Sequence, residues 1–533
     1  MTWLLVWPIL IPMVTAALCL LAWRHPGLQR GMSLFGLLIL FAGGALLLGQ
    51  VWHHGALALQ AGDWPAPFGI TLVADLFSAL MVLLTAAVGL GTAVYALGDL
   101  DSEREGIGFH PLLHALLTGV GGAFVTGDIF NLYVWFEVMV IASFGLIALG
   151  RTARQIDGAV KYVVLNLIAT TVLLLAIGLL YGVTGTLNMA DLGQVVPTHP
   201  DRGILVVIGV VFLFAFAMKA AVFPLFFWLP ASYHTPAPAV SALFAALLTK
   251  VGVYATVRVF TLIFTIGQEL THGIMMAAGA VTMIIGVLGA IAQTDLRRIL
   301  SFNLVSGIGF IFIGVGLGTA LGLAGALYYT IHHIVVMSAL FMGAGVIQRL
   351  GGENLDRLGG LYLREPWIAV AFFLAAMSLA GVPPLSGFWP KVVVVRASLE
   401  SESYILAAAV LTGGFLTLYS MAKIWALAFW RDVPAETAPP KTSFETSAET
   451  ATPATATPAT ATPAPAVALG FGPLPGTTGI DRRTLMLAPF VVLTALTVVL
   501  GLAAEPVLAL SERAAEALLS PGGYIGAVLG QEG

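Results

Sequence analysis

Apolar runs long enough to cross a bilayer follow one another from Thr2 to Trp430, and one more lies at 484–505. About 20 apolar residues match the roughly 30 Å hydrocarbon layer. Fourteen such runs can be marked, at 2–23, 32–52, 72–98, 111–127, 129–149, 161–183, 204–229, 239–264, 273–293, 300–318, 320–347, 367–400, 404–430 and 484–505. They are apolar throughout, whereas a membrane β-barrel would show segments of about ten residues that alternate in polarity. The predicted fold is an all-α polytopic membrane protein of about fourteen transmembrane helices. The first run has no basic stretch before it and reads as a span, not a cleaved signal peptide.

Two runs carry interruptions. Pro224 stands inside "FAFAMKAAVFPLFFWLP", the seventh span, and the over-long twelfth contains "GVPPLSGFWPK". Proline removes a backbone donor and displaces the carbonyl one turn back. Groups freed at membrane depth must find water or protein partners. Helices 7 and 12 are therefore predicted to be broken, each with a wet polar pocket at mid-membrane. Paired breaks in two halves of a chain are a sign of inverted repeats. Spans four to eight and nine to thirteen hold five helices each, and an odd number turns the second unit over. The expected organisation is three N-terminal helices in 1–110, a first five-helix repeat in 111–264, a second in 273–430, and a last span with an outer tail in 484–533. Between them 433–479 is rich in Ala, Thr and Pro ("AETATPATATPATATPAPA") and reads as an extended, disordered linker.

Charge sharpens this picture. The chain is 59% hydrophobic and 9% charged, against about 25% charged in soluble domains. A net charge of −4 without a basic patch gives no reason to expect nucleic acid, and the single cysteine excludes internal disulfides and cysteine-ligated metal centres. With the N-terminus outside, the inner connections hold fifteen Lys and Arg and the outer ones only Arg202 and Arg513, or four with Arg258 and Arg396. The positive-inside rule then predicts both termini outside.

Several ionisable residues lie deep within spans: Glu137 in the fifth, Lys219 in the seventh, Lys250 in the eighth, the adjacent His332 and His333 in the eleventh, and Lys391 beside the break in the twelfth. Lys or Glu at mid-bilayer costs at least ~2.5–3.5 kcal/mol and is expected to face protein or a watery cavity. Arginine keeps its proton in a protein, whereas a desolvated lysine can release it. Neighbouring charges tune proton affinity, and histidine titrates near neutrality unaided. A Glu–Lys–Lys–His–Lys set at one depth therefore reads as a lateral proton path. Adjacent helical side chains diverge by about 100°, so one of the two histidines, with His332 favoured, is expected in the path. His234, at the inner mouth, reads either as an accessory group or as a loop cap. Asp128, at the start of the fifth span, reads as a helix N-cap sooner than as a carrier.

The stretch "MKAAVFPLFFWLPASYHTPAPAVSALFAALLTKVGVY", with "TDLRRILSFNLVSGIGF" and "SLAGVPPLSGFWPK", resembles the antiporter-like membrane subunits of respiratory complex I, membrane-bound hydrogenases and Mrp-type cation/proton antiporters. The likeness covers about residues 70 to 430. "VTGDIFNLYVWFEVMVIASF", "ALLTKVGVYA" and the "GFWPK" ending look most like the D subunit of the Mrp group. The resemblance implies a proton path through Glu137, Lys219, Lys250, one of His332 and His333, and Lys391, with the Glu137–Lys219 pair as its switch. It implies exchange of H+ for Na+ in a complex of several different membrane subunits in a bacterial cell membrane, without a cofactor. Many relatives have histidine or glutamine near Gly307, where glycine cannot relay a proton. The alternatives are a proton-pumping subunit of complex I or a hydrogenase, a lone solute transporter, and a proton-inactive scaffold subunit.

Overall fold

The computed structural model describes residues 2–432 and 481–530; the expected linker at 433–479 lies outside the described residues. Numbering only the elements used below, the helices begin with α1 (Trp7–Leu21), α2 (Pro26–His54) and α3 (Leu76–Asp99). The first five-helix unit is α4 (Phe109–Val125), α5 (Ile129–Ala148), α6 (Ala153–Thr184), α7 (Arg202–Ala220) and α8 (Pro238–Leu262). The second comprises α9 (Gln268–Ala292), α10 (Leu296–Gly316), α11 (Ala320–Gly351), the half-helices α12 (Pro366–Ala380) and α13 (Phe388–Glu400), and α14 (Tyr404–Ile424). A six-residue π-helix, Trp425–Trp430, extends α14. Then come α15 (Arg482–Leu502), α16 (Ala504–Leu519) and α17 (Gly522–Leu529).

Among the described residues twelve helices are long and apolar enough to cross a membrane, and Phe109–Val125 and Pro366–Ala380 are shorter apolar helices. This is consistent with fourteen crossings. Several predicted ends shift. The third span does not start at residue 72, because Thr71–Ala74 is a strand (β2) that pairs antiparallel with Leu57–Gln60 (β1). Asp75 then starts α3 by accepting from the Ser78 amide at 2.9 Å. The sixth span begins earlier than predicted, at Ala153, behind a capping box made by Thr152 and Gln155. After α15 the chain does not trail off but forms two more helices, and α16 lies against α3, α8 and α11.

The two units share a structural signature. An isolated bridge joins Asp128 to Asn188 and another joins Asp295 to Asn354. Asp128 caps α5 and Asp295 caps α10, the second helix of each unit. Five crossings separate the two caps, so they fall on opposite faces of the membrane, as an inverted pair must.

At the centre stand α8, α10 and α11. The α8 and α11 helices are buried along their whole apolar length and α10 almost so. A helix apolar on every side belongs in such a position. A charge on α8 or α11 therefore cannot face lipid.

A polar lock ties α2 to the α3–α4 connection. Arg30 donates to both carboxylate oxygens of Glu105, at 2.6 and 2.5 Å, and His110 Nε2 lies 3.0 Å from Glu105 Oε1. Burial alone would raise the Glu105 carboxyl, but the bonds and charges of Arg30 and His110 outweigh it and hold the group at about 2. A depressed carboxylate contributes stability that is complete above the unfolded-state value and is lost as pH falls toward the folded one. The window is thus from about pH 4.5 down to 2, and the linked stability is on the order of 3 kcal/mol. Glu105→Gln is expected to lower thermal stability at pH 7 and to flatten its decline between pH 5 and 3, as read by heating the solubilised protein across that range.

Candidate functional site

Both predicted breaks are present and share one construction. The α7 helix ends at Ala220, and Ala221 takes a left-handed conformation (φ 64°). The α12 helix ends at Ala380, and Gly381 does the same (φ 89°). A cis proline follows each, at Pro224 and Pro384. In each break a carbonyl of the last turn accepts from the valine just past it: Ala217 from Val222 at 2.9 Å, and Met377 from Val382 at 3.1 Å.

The two breaks differ in their other hydrogen bonds. Met218 O receives the Trp228 indole at 3.0 Å, and the Phe223 amide donates to Thr282 Oγ1 at 2.8 Å. The cavity beside Pro224, about 150 Å³, is lined by apolar side chains and does not include Lys219, so it is not the polar pocket expected at the seventh-span break. At the other break Lys391 itself crosses back, donating to Leu379 O at 3.0 Å and Ala380 O at 2.7 Å. An ammonium at a helix C-terminus meets the negative end of the dipole and the free carbonyls together. A cavity of about 650 Å³ opens beside it, lined by Lys391, Arg396 and the apolar faces of α13 and α14.

Lys219 is 3% exposed and Lys250, His332 and His333 are fully buried. The end of α7 lies hard against α8: a Cβ on Gly252 would come within 2.8 Å of the Ala220 amide and 3.1 Å of Lys219 Cβ. The absent side chain is what allows Lys219 to sit beside the turn that carries Lys250. The Lys219 ammonium has no hydrogen-bond partner among the described residues and lies 5.2 Å from the centre of the Phe136 ring. Phe136 is the residue before Glu137, which is half-buried on α5. The predicted Glu137–Lys219 pair is thus brought together as neighbours but without an ion pair. Lys250 donates to Ala245 O at 2.6 Å on its own helix.

The two histidines diverge as predicted. His332 Nδ1 shares a 2.7 Å hydrogen bond with Ser386 Oγ, which in turn bonds Ser378 Oγ at 2.9 Å, across the α12–α13 break. His333 turns toward α10, where a Cβ on Gly307 would lie 2.3 Å from its Nε2. Neither ring nitrogen of His333 has a hydrogen-bond partner among the described residues. The Tyr329 ring packs on both imidazoles, with centroids 5.4 and 5.3 Å away.

Two flanking residues act locally. His234 Nδ1 bonds Pro230 O at 2.9 Å, as a loop cap does. Burial, followed by repulsion from Arg154 and Arg298, lowers this imidazole to about 4, so it is neutral at physiological pH. Asp128 accepts from the Asn131 amide at 2.7 Å and is an N-cap.

Sequence reasoning missed three groups. Ser378 and Ser386 were hidden as small residues around prolines. Asp75 and Arg258 form a buried ion pair at 2.6 Å, with Arg258 stacked 4.8 Å from the Tyr524 ring. His110 and His114, one turn apart on α4, are both buried, and His114 bonds Ser33 at 2.9 Å. The i, i+4 spacing inside an apolar run was the available signal for this last pair.

Residues 126–417, more than half of the chain, match the family model described as NADH:quinone oxidoreductase/Mrp antiporter, transmembrane. The chain belongs to that family. Within it the likeness is to the D subunits of sodium/proton antiporters. A protein of Alkalihalophilus pseudofirmus that is named as the D subunit of a Na(+)/H(+) antiporter is 42% identical over 99% of both chains. One of the same name from Bacillus subtilis is 38% identical over 98% of both. A chain in the structure of the Mrp complex from a Dietzia species superimposes with a TM-score of 0.86 at 32% identity, covering 99% of this chain and 100% of that one. A chain of an archaeal membrane-bound sulfane sulfur reductase has a TM-score of 0.85 over 99% of this chain and 100% of its own, but at 23% identity it shares the fold alone. The antiporter-like family expected from the motifs is thus the family found, and the broken helices 7 and 12 are part of its fold here.

Proposed function

We propose that this chain is the proton-translocating subunit of a sodium/proton antiporter built from several different membrane subunits in a bacterial cell membrane, with both termini outside. Protons pass between Glu137, Lys219, Lys250, one of His332 and His333, and Lys391. The observation that carries this reading is the set of three lysines and two histidines lying on touching elements of the interior. No carboxylate is ion-paired to any of the three lysines among the described residues.

A lysine without a fixed counter-ion can gain or lose a proton as neighbouring charges change. In this reading the separated Glu137 and Lys219 are the open state. Protonated Lys219 closes on Glu137, and reopening sends its proton toward Lys250. Sodium is exchanged elsewhere in the complex. The names of the relatives support sodium as the partner ion, and the Dietzia complex supports further membrane subunits. His234 and Asp128 serve as loop and helix caps beside the path.

The test is sodium-dependent collapse of ΔpH in everted vesicles from an antiporter-deficient host expressing the whole gene cluster. Lys219→Ala and Glu137→Ala are expected to lower exchange at least ~10²-fold, the scale of a lost proton-transfer group, with the complex assembled on a native gel. Normal exchange in both assembled variants would remove the proton path. Proton pumping driven by oxidation of a donor, with no cation dependence, would place the chain in a redox complex instead.

A further inference from the structure

We infer that His333 and His332 both carry the proton, in series, and that Gly307 is the vacant position that admits His333 to the relay. This rests on the proton path proposed above. The expectation that one histidine conducts and its neighbour only packs meets an obstacle in the structure. The residue with a fixed hydrogen bond is His332, and the one without is His333.

The two rings stand between the two lysines on different faces of α11. Their side chains point about 100° apart. His333 faces α10 and lies within electrostatic range of both Lys250 and Lys391, while His332 faces the broken helix and is within range of Lys391. A buried imidazole with both nitrogens unpartnered is costly unless it is used or hydrated. Its Nε2 fills the space that any side chain at position 307 would need, since a Cβ there would lie 2.3 Å away. Beyond His332 the line continues through Ser386 Oγ and Ser378 Oγ at 2.7 and 2.9 Å. The next two carbonyls along the chain, Leu379 and Ala380, hold the Lys391 ammonium. A Cβ on Gly387 would lie 2.9 Å from His332 Nε2 and 2.0 Å from Ser378 O, so that glycine keeps the second ring against the break.

Written from Lys250 toward Lys391, the proton count balances. The Lys250 ammonium gives up one proton and becomes neutral. His333 takes it on one ring nitrogen and releases another proton from the other, remaining neutral overall, and His332 repeats the step. Ser386 accepts a proton from His332 Nδ1 as its own hydroxyl proton passes to Ser378, Ser378 releases its own hydroxyl proton through bridging water to a neutral Lys391, and Lys391 ends as the ammonium. Ordered water bridges the gaps that direct contacts leave. Ring and hydroxyl rotation then reset the line.

The test uses the complete complex in everted vesicles, with exchange expressed per assembled complex. His333→Ala and His333→Gln are each expected to lower exchange at least ~10-fold, toward the level of His332→Ala, because neither replacement can pass a proton between two nitrogens. The deciding variant carries Gly307→His together with His333→Ala, which moves the imidazole from α11 to α10 while keeping its place in space. It is expected to recover several-fold over His333→Ala. A packing role for His333 predicts no such recovery, since neither helix regains its native surface. Lys219→Ala is run beside them. If it abolishes exchange while His333→Gln exchanges normally, or if the double variant gains nothing over His333→Ala, the two-histidine relay is wrong and the path stands. If Lys219→Ala itself exchanges normally, the path falls first.

Discussion

Lys391→Arg is expected to leave the twelfth-span break intact and to reduce exchange below about 1% of the unsubstituted complex. Arginine offers donors at similar reach, so Leu379 O and Ala380 O keep a cationic partner. Its guanidinium does not give up a proton in a protein. The structural and the conducting tasks of Lys391 are thereby separated in one substitution. Lys391→Met removes both: it strands two carbonyls at membrane depth, where each unmade bond costs several kcal/mol. It should lower the amount of assembled complex as well as the exchange. Vesicle assays on the two variants, with native gels for assembly, distinguish the tasks. If Lys391→Arg exchanges at the normal rate, Lys391 is a pin for the break and the path must leave the chain elsewhere.

The second large effect falls on stability. Arg258 is buried between Asp75, Tyr254 and Tyr524, donating to Asp75 at 2.6 Å with the Tyr254 ring 5.6 Å and the Tyr524 ring 4.8 Å from its guanidinium carbon. Taking away one member of a buried pair leaves an uncompensated charge, at a cost of ~3–5 kcal/mol. Arg258→Met is accordingly expected to lower strongly the temperature at which the solubilised complex aggregates. Adding Asp75→Asn to it should restore most of the loss, because a neutral amide can remain as the α3 cap without needing a cation. Tyr524→Ala removes one cation–π contact and should cost less, ~0.5–2 kcal/mol. A double variant as unstable as Arg258→Met would show that the guanidinium contributes through packing and not through charge.

Much of this arrangement is written plainly in the sequence, and what is not has identifiable physical causes. Helix 7 could be read as broken because proline has no amide to give, and Lys219, Lys250 and Lys391 stood out because charge is costly at their depth. The helix end at Ala220 could not be read, since the left-handed conformation of Ala221 leaves no trace in residue type. The strand Thr71–Ala74 was invisible for a different reason: its three apolar residues, Leu72 to Ala74, stand in front of an apolar helix and look like more of that helix. Partners distant in sequence were the hardest. That Thr282 receives the Phe223 amide, that Ser386 meets His332, and that His333 fills the place of a side chain at Gly307 depend on how the helices of the second unit dock. Glu137 illustrates the converse. Its depth marked it, yet whether it touches Lys219 depends on a side-chain position that charge alone does not fix.

The clamp on Arg258 also sets an order of events in the making of the protein. Asp75 is synthesised before Arg258, but Tyr524, in α17, follows only after the entire second unit, α15 and α16. At ~5–20 residues per second that interval is tens of seconds. Throughout it the C-terminal end of α8 holds its guanidinium with one aromatic face uncovered. The contact made by Tyr524 is therefore a seal applied last, and a chain that stops within the second unit lacks it.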